Sequence, residues 1–235
     1  MIVRRRFALA LSVAALAVPL GAEDLTVVSK TSIGDRVGTS TQYMTSTRSR
    51  STDGQTDSIV EFSTGHFLFV DHRAKEYWES SIQEMATYFD RAEKANKGNP
   101  AFDAMFGGAN DVVVEKGKRS RKVAGYDCDE YTMRMGRALV FELCAAKGLE
   151  APAKYFEGRK ASFAAMGPLG KWYAKMFDEM KKIKGYPLSV AIDLDMGTMK
   201  QHTVSEATEV RKGPIPASTF EIPAGYKKKP SPFGK

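Results

Sequence analysis

The chain has 235 residues, 43% of them hydrophobic and 27% charged, with two cysteines and a net charge of +7. This is the composition of a folded chain, and it excludes a disordered protein, a disulfide-rich miniprotein and a polytopic membrane protein. The positive charge lies at the ends, in Arg4–Arg6 and in Lys227–Lys229 with Lys235, so residues 23–225 hold 28 basic against 28 acidic side chains. Binding a phosphate backbone needs a standing positive field on the folded surface, so nucleic acid is not an expected partner.

In chain order, residues 1–22 read as a secretory signal peptide: three arginines, the apolar run Phe7–Leu20, and Ala22 as the small residue before the cut. The run is shorter than the ~20 residues that span a bilayer, so the mature chain is expected to be periplasmic or secreted and not an integral membrane protein. Thr39–Arg50 then alternates as a strand. Asp53-Gly54 marks a turn, followed by Ile59–Phe62, a turn at Ser63-Thr64-Gly65, the apolar run Phe67–Val70, a turn at Arg73-Ala74-Lys75, and Tyr77-Trp78. Strands and turns so spaced predict an antiparallel meander.

The period changes at Ser81, where Ser81 and Glu84 form a capping box and Ile82, Met85, Ala86 and Phe89 recur at helical spacing. Gly98-Asn99-Pro100 ends that helix, and Ala101–Asn110 is an apolar connector. Val112–Val114 resumes a strand, with a turn expected around Gly117. From Val123 a hairpin runs out over Asp129–Arg134, turns at Met135-Gly136-Arg137 and returns over Ala138–Leu143. In that register Cys128 lies directly opposite Cys144, within disulfide reach. A shift of one residue leaves the pair diagonal, and two free thiols would suit a reducing compartment; the export signal favours the disulfide.

A second helical stretch covers about Lys160–Lys184, interrupted near Gly167-Pro168. Leu169, Trp172, Tyr173, Met176, Phe177, Met180 and Ile183 form its apolar stripe. Gly185-Tyr186-Pro187 stops it, and Leu188–Leu194, Gln201–Val210 and Phe220–Ile222 are the closing strands. No repeat or linker divides the chain, so the expected organisation is a signal peptide at 1–22, one domain at 23–226 and a basic polar tail at 227–235.

Little in this pattern suggests catalysis. His66 and His72, on one extended strand, would be ~20 Å apart and could not share a metal. His202 stands alone, and no Cys/His set has zinc spacing. There is no G-x-S-x-G elbow. Gly117-Lys118-Arg119-Ser120 fails as a phosphate loop, because Val112 holds the upstream glycine position and Arg119 the Ser/Thr position. The basic run Lys116–Lys122 reads as a solvated turn. Met133 and Met135 suit strand packing better than copper. No metal, no cofactor and no enzymatic activity are expected.

Four segments together resemble a known family. Asp71-His72-Arg73-Ala74-Lys75-Glu76-Tyr77-Trp78 resembles its strand-turn-strand segment, and Val123–Tyr131 its "GYxCxxY" strand. Gly185-Tyr186-Pro187-Leu188 resembles its "GxPL" entry to the closing sheet, and Phe220–Tyr226 its terminal "FxxPxGY". The family is DUF4412, whose layout is similar to that of the LolA/LolB-like lipoprotein carriers. The resemblance implies an α+β fold, a curved antiparallel half-barrel with helices on its concave side.

A stripe of Trp, Tyr, Phe and Met at helical spacing serves either as ordinary core or as the lid of an apolar cavity. With the carrier-like layout, the expected function is non-enzymatic binding of a lipid or other hydrophobic ligand. Its lining would be Leu169, Trp172, Tyr173, Met176 and Met180, joined by Met85 and Phe89 of the first helix. The alternative is a structural or protein-interaction module of the cell envelope with a fully packed core.

Overall fold

The computed structural model describes residues 23–98, 112–136, 138–164, 167–195 and 200–234, and within these the side chains of 167–169, 171 and 172 are not described. The expected signal peptide and the connector 101–110 therefore lie outside the described residues.

The first six strands follow one another: β1 (Leu25–Ile33), β2 (Arg36–Met44), β3 (Arg48–Thr52), β4 (Thr56–Glu61), β5 (His66–Asp71) and β6 (Glu76–Ser81). Their turns form where short polar side chains capture backbone N–H groups. Asp53 Oδ1 accepts from the amides of Gln55 at 2.9 Å and Thr56 at 2.7 Å, and these bonds hold its carboxyl below the ordinary value. Asp71 Oδ1 accepts from the amides of Arg73 and Ala74, both at 2.9 Å. Thr39–Arg50, expected as one strand, is split between β2 and β3. Thr45 makes that turn through its hydroxyl, which accepts from the Arg48 amide at 2.9 Å, with no glycine or proline to announce it.

Helix α1 (Ile82–Ala95) starts at the expected capping box: Ser81 Oγ accepts from the Glu84 amide, and the Glu84 carboxylate accepts from the Ser81 amide at 2.9 Å. Strands β7 (Val112–Val123), β8 (Tyr126–Met135) and β9 (Leu139–Ala146) follow. The turn expected around Gly117 is instead a bulge between Lys116 and Ser120 within β7. Two helices, α2 (Tyr155–Ala164) and α3 (Gly167–Met180), occupy the second helical stretch, broken at the expected Gly-Pro. Then come β10 (Tyr186–Asp195), β11 (Lys200–Lys212), a 3-10 turn at Ala217–Phe220 that runs into the expected strand Phe220–Ile222, which does not form, and β12 (Lys227–Lys228).

The twelve strands of the described residues join one open sheet in the order β12-β6-β5-β4-β3-β2-β1-β11-β10-β9-β8-β7. Every ladder is antiparallel except β12 on β6. With its helices the molecule is α+β. β1, which the turn pattern did not mark, sits mid-sheet, joining the meander through β2 to the second half through β11. The edge strand β7 carries Lys116, Lys118, Arg119, Arg121 and Lys122, charges that discourage pairing with another chain's edge. Lys116 and Lys147 both reach Asp129, at 2.7 and 2.8 Å, and hold its carboxyl far below the carboxylate range.

The cysteines are bonded, with Cα atoms 5.4 Å apart, but the hairpin register differs from expectation. Met135 pairs with Leu139, so the loop is 136–138; Cys128 faces Ala146, Cys144 faces Glu130, and the disulfide runs diagonally. The turn moves by one residue at unchanged length, so each residue's partner shifts by two and the side chains keep their faces, a change that turn chemistry leaves open. The bond closes a loop of sequence separation 16. Replacing both cysteines by serine is expected to lower stability by about 3 kcal/mol, read as a shift in urea midpoint.

The segment 227–235, expected as a polar tail, is tied down through its described residues. The amides of Lys227 and Lys229 donate to the carbonyls of Lys75 and Tyr77, at 3.0 and 2.7 Å. Lys228 and Lys229 pair with Glu79 and Glu76. Phe233 packs its ring against Trp78, Tyr88 and Phe89. These partners lie far back in sequence, so composition alone reads the segment as solvated.

Candidate functional site

A cavity of about 290 Å³ lies between α2, α3 and the sheet. Six neighbouring strands border it: β2, β1, β11, β10, β9 and β8 supply Gln42, Val27, Ser205, Leu188, Leu143 and Met133 respectively. From α3 come Met176, Phe177 and Met180, one face of the apolar stripe. From α2 come Tyr155 and, one turn on, Arg159, placed on the same helical face by the i,i+4 spacing.

The polar groups are few, and three of them are linked. The Tyr186 hydroxyl donates to Gln42 Oε1 at 2.7 Å, and Gln42 Nε2 donates to the Tyr155 hydroxyl at 2.7 Å. Both phenols are buried, at 8% and 4% exposure, and burial pushes both pKa values upward, Tyr186 the further. The ring of Tyr155 is wedged edge-on against Phe62 and Phe156, with centroids at 5.8 and 5.3 Å. Arg159 is half-buried, its guanidinium 5.0 Å from the centre of the Phe163 ring.

Of the seven expected lining residues, Met176 and Met180 border this cavity. Tyr173 is half-buried and stacks on Phe163 with centroids 4.5 Å apart. Met85 is buried and Phe89 half-buried on α1, Phe89 in the aromatic group with Tyr88 and Phe233; neither borders the cavity. The side chains of Leu169 and Trp172 lie outside the described residues. Gln42, Tyr155, Arg159 and Tyr186 were not singled out from the sequence. They come from β2, α2 and β10, and no local spacing links them.

A second polar group lies on the opposite side of the sheet. Phe67 meets Phe163 of α2, while Asp57 pairs with Val70, three residues on from Phe67 and therefore on the other face. Asp57 is 2% exposed, and its Oδ2 is 2.8 Å from both Arg50 Nη2 and His72 Nε2. His72 Nδ1 is 2.8 Å from the Tyr226 hydroxyl, and Arg50 Nη1 donates to the Thr219 carbonyl at 2.6 Å. These bonds hold the segment Ala217–Tyr226 over the meander, with Phe220 buried beneath the Arg48 guanidinium. His72, for which the sequence suggested no partner, is thus part of a tertiary clasp.

Among the described residues, no group of three or more His, Cys, Asp or Glu gathers as a metal site. No described helix is long and apolar enough to cross a membrane.

Residues 39–226 match the model of a family described as a domain of unknown function, DUF4412. No curated protein matches the sequence. Among solved structures, the chain is similar to PNGF-II at 10% identity and a TM-score of 0.43, covering 89% of this chain and 31% of that one. It is similar to MucB at 10% identity and a TM-score of 0.42, over 87% of this chain and 58% of that one. The LolA superfamily protein NE2245 from Nitrosomonas europaea is 7% identical with a TM-score of 0.32, over 87% and 91% of the two chains. The chain thus spans about a third of the PNGF-II chain's length and under two thirds of MucB's.

Proposed function

The chain belongs to the DUF4412 family, and from that footing we propose that it is an exported cell-envelope protein that binds a lipid or other hydrophobic molecule without catalysis. The observation that carries this reading is the cavity of about 290 Å³ beneath α2 and α3, lined by flexible methionines and aromatic side chains with few polar groups. A half-barrel with its helices on the concave side is the matching geometry. It is supported by the six strands that border one cavity, which laid flat would span about 24 Å. Export is supported by the disulfide, which persists in oxidising compartments.

Burial of apolar ligand surface would drive binding at ~25 cal/mol per Å² before ordering costs. The test is native mass spectrometry with solvent extraction, on the protein purified without detergent from an exporting host. An apolar compound is expected to co-purify. Met176→Asp should cut its recovery at least tenfold while circular dichroism is unchanged, whereas the exposed Lys175→Asp should retain it. A clean apo mass with no uptake of added lipids would overturn the reading and leave a packed interaction module.

A further inference from the structure

Arg159 borders an apolar cavity, and no anion among the described residues balances it. Among the described residues it makes no ion pair. Asp178 of the adjoining helix is engaged by Lys160 at 2.6 Å and Lys181 at 3.2 Å, and Glu179 by Lys182. The guanidinium lies over the face of the Phe163 ring, and no side chain or carbonyl among the described residues accepts from its in-plane N–H donors. A half-buried cation in this state loses hydration without recovering it from the protein.

The phenols beside it are short of an acceptor. Gln42 has one carbonyl oxygen and one amide nitrogen, and each is spent on a different phenol. The phenol facing the nitrogen must accept, so its own proton has no acceptor among the described residues. As placed, that phenol is Tyr155; flipping the amide would transfer the vacancy to Tyr186. Arg159 lies close enough for its charge to act on Tyr155, Tyr173 and Tyr186, opposing the upward push of burial. One end of the cavity therefore offers a guanidinium fork and a phenol proton, both donors. Apart from Ser29, Ser205 and Pro187, the rest is methionine, leucine, valine and phenylalanine.

We infer that the ligand is an anionic single-chain amphiphile whose carboxylate is held by Arg159 and the Tyr155 hydroxyl while its chain lies against Met133, Met176 and Met180. The inference rests on the cavity reading above and adds the class of head group. Guanidinium recognises a carboxylate through paired N–H donors, and such charge-assisted bonds are strongest where water is thin. A neutral amphiphile of equal length would gain the same apolar burial but leave Arg159 uncompensated.

The test is displacement of the neutral fluorescent probe N-phenylnaphthylamine by dodecanoate and by dodecanol, using the full exported chain. Dodecanoate is expected to displace the probe at a concentration about tenfold lower than dodecanol. In Arg159→Gln this preference should vanish while dodecanol is unaffected, and in Arg159→Lys it should be partly kept. Tyr155→Phe should weaken dodecanoate alone. If Arg159→Gln does not fold, acidification serves with the unaltered chain: protonating the free fatty acid should erase the preference. Equal potency of acid and alcohol, or a preference that survives Arg159→Gln, would overturn the anionic head group and leave the cavity reading standing. Failure of the probe and both amphiphiles to bind would overturn both.

Discussion

Gly185→Ala is expected to lower stability by about 4 kcal/mol and the Tm by about 8–16 °C. Gly185 has φ +96, a backbone conformation that side chains rarely adopt, and a Cβ placed there would sit 2.0 Å from the Ala146 carbonyl oxygen. That carbonyl belongs to β9, which β10 pairs with from Tyr186 onward, and the Tyr186 amide donates to the Leu149 carbonyl at 2.7 Å. Neither strand can move aside without disturbing the ladder and the tyrosine that enters the cavity. Gly125→Ala is the control: its φ is +84, but nothing lies within 4 Å of the added methyl. There the cost is backbone strain alone, about 1 kcal/mol. Denaturant titration of the two variants separates the effects, and equal losses would mean that the Ala146 contact costs nothing. The geometry also supplies a physical reason for the glycine that opens the Gly-Tyr-Pro-Leu segment.

The second large effect is expected at the clasp. Arg50→Ala should cost about 3–5 kcal/mol, because the Asp57 carboxylate is 2% exposed and would lose the guanidinium at 2.8 Å. The Thr219 carbonyl loses its donor at the same time, so cleavage between Ala217 and Tyr226 in limited proteolysis should accelerate. Removing the buried charge as well, in Arg50→Ala/Asp57→Asn, should recover at least half of the loss, since an uncompensated carboxylate is the larger part of the penalty. A double variant no more stable than the single one would show that the contact with Thr219, and not the charge, holds the clasp. Both outcomes are read from urea midpoints.

Features that depend on a few adjacent residues were legible in the chain itself. The turns at Asp53-Gly54 and Arg73-Ala74-Lys75, the Ser81/Glu84 capping box, the helix break at Gly167-Pro168 and the Cys128–Cys144 bond all occur where short-range chemistry places them. Their energetics involve partners within a few positions or across one hairpin, so side-chain type and spacing suffice. The apolar stripe of α3 was legible for the same reason, and with it Met176 and Met180.

Tertiary structure alone decided which remote segments meet. β1 carries no turn signal, yet it joins the halves of the sheet by pairing with β11, nearly the whole chain away. The polar end of the cavity is assembled from Gln42, Tyr155, Arg159 and Tyr186, which come together only when β2, β10 and α2 are packed. Lys227–Lys229 looks solvated until the edge of β6 is present to pair with it. In each case the deciding energy is burial or a hydrogen bond between residues far apart in sequence, realised only once the intervening chain is ordered. The sequence by itself therefore determined the locally signalled turns, caps and helices and the apolar stripe that holds Met176 and Met180; packing decided the order of the sheet and which side chains gather around the cavity.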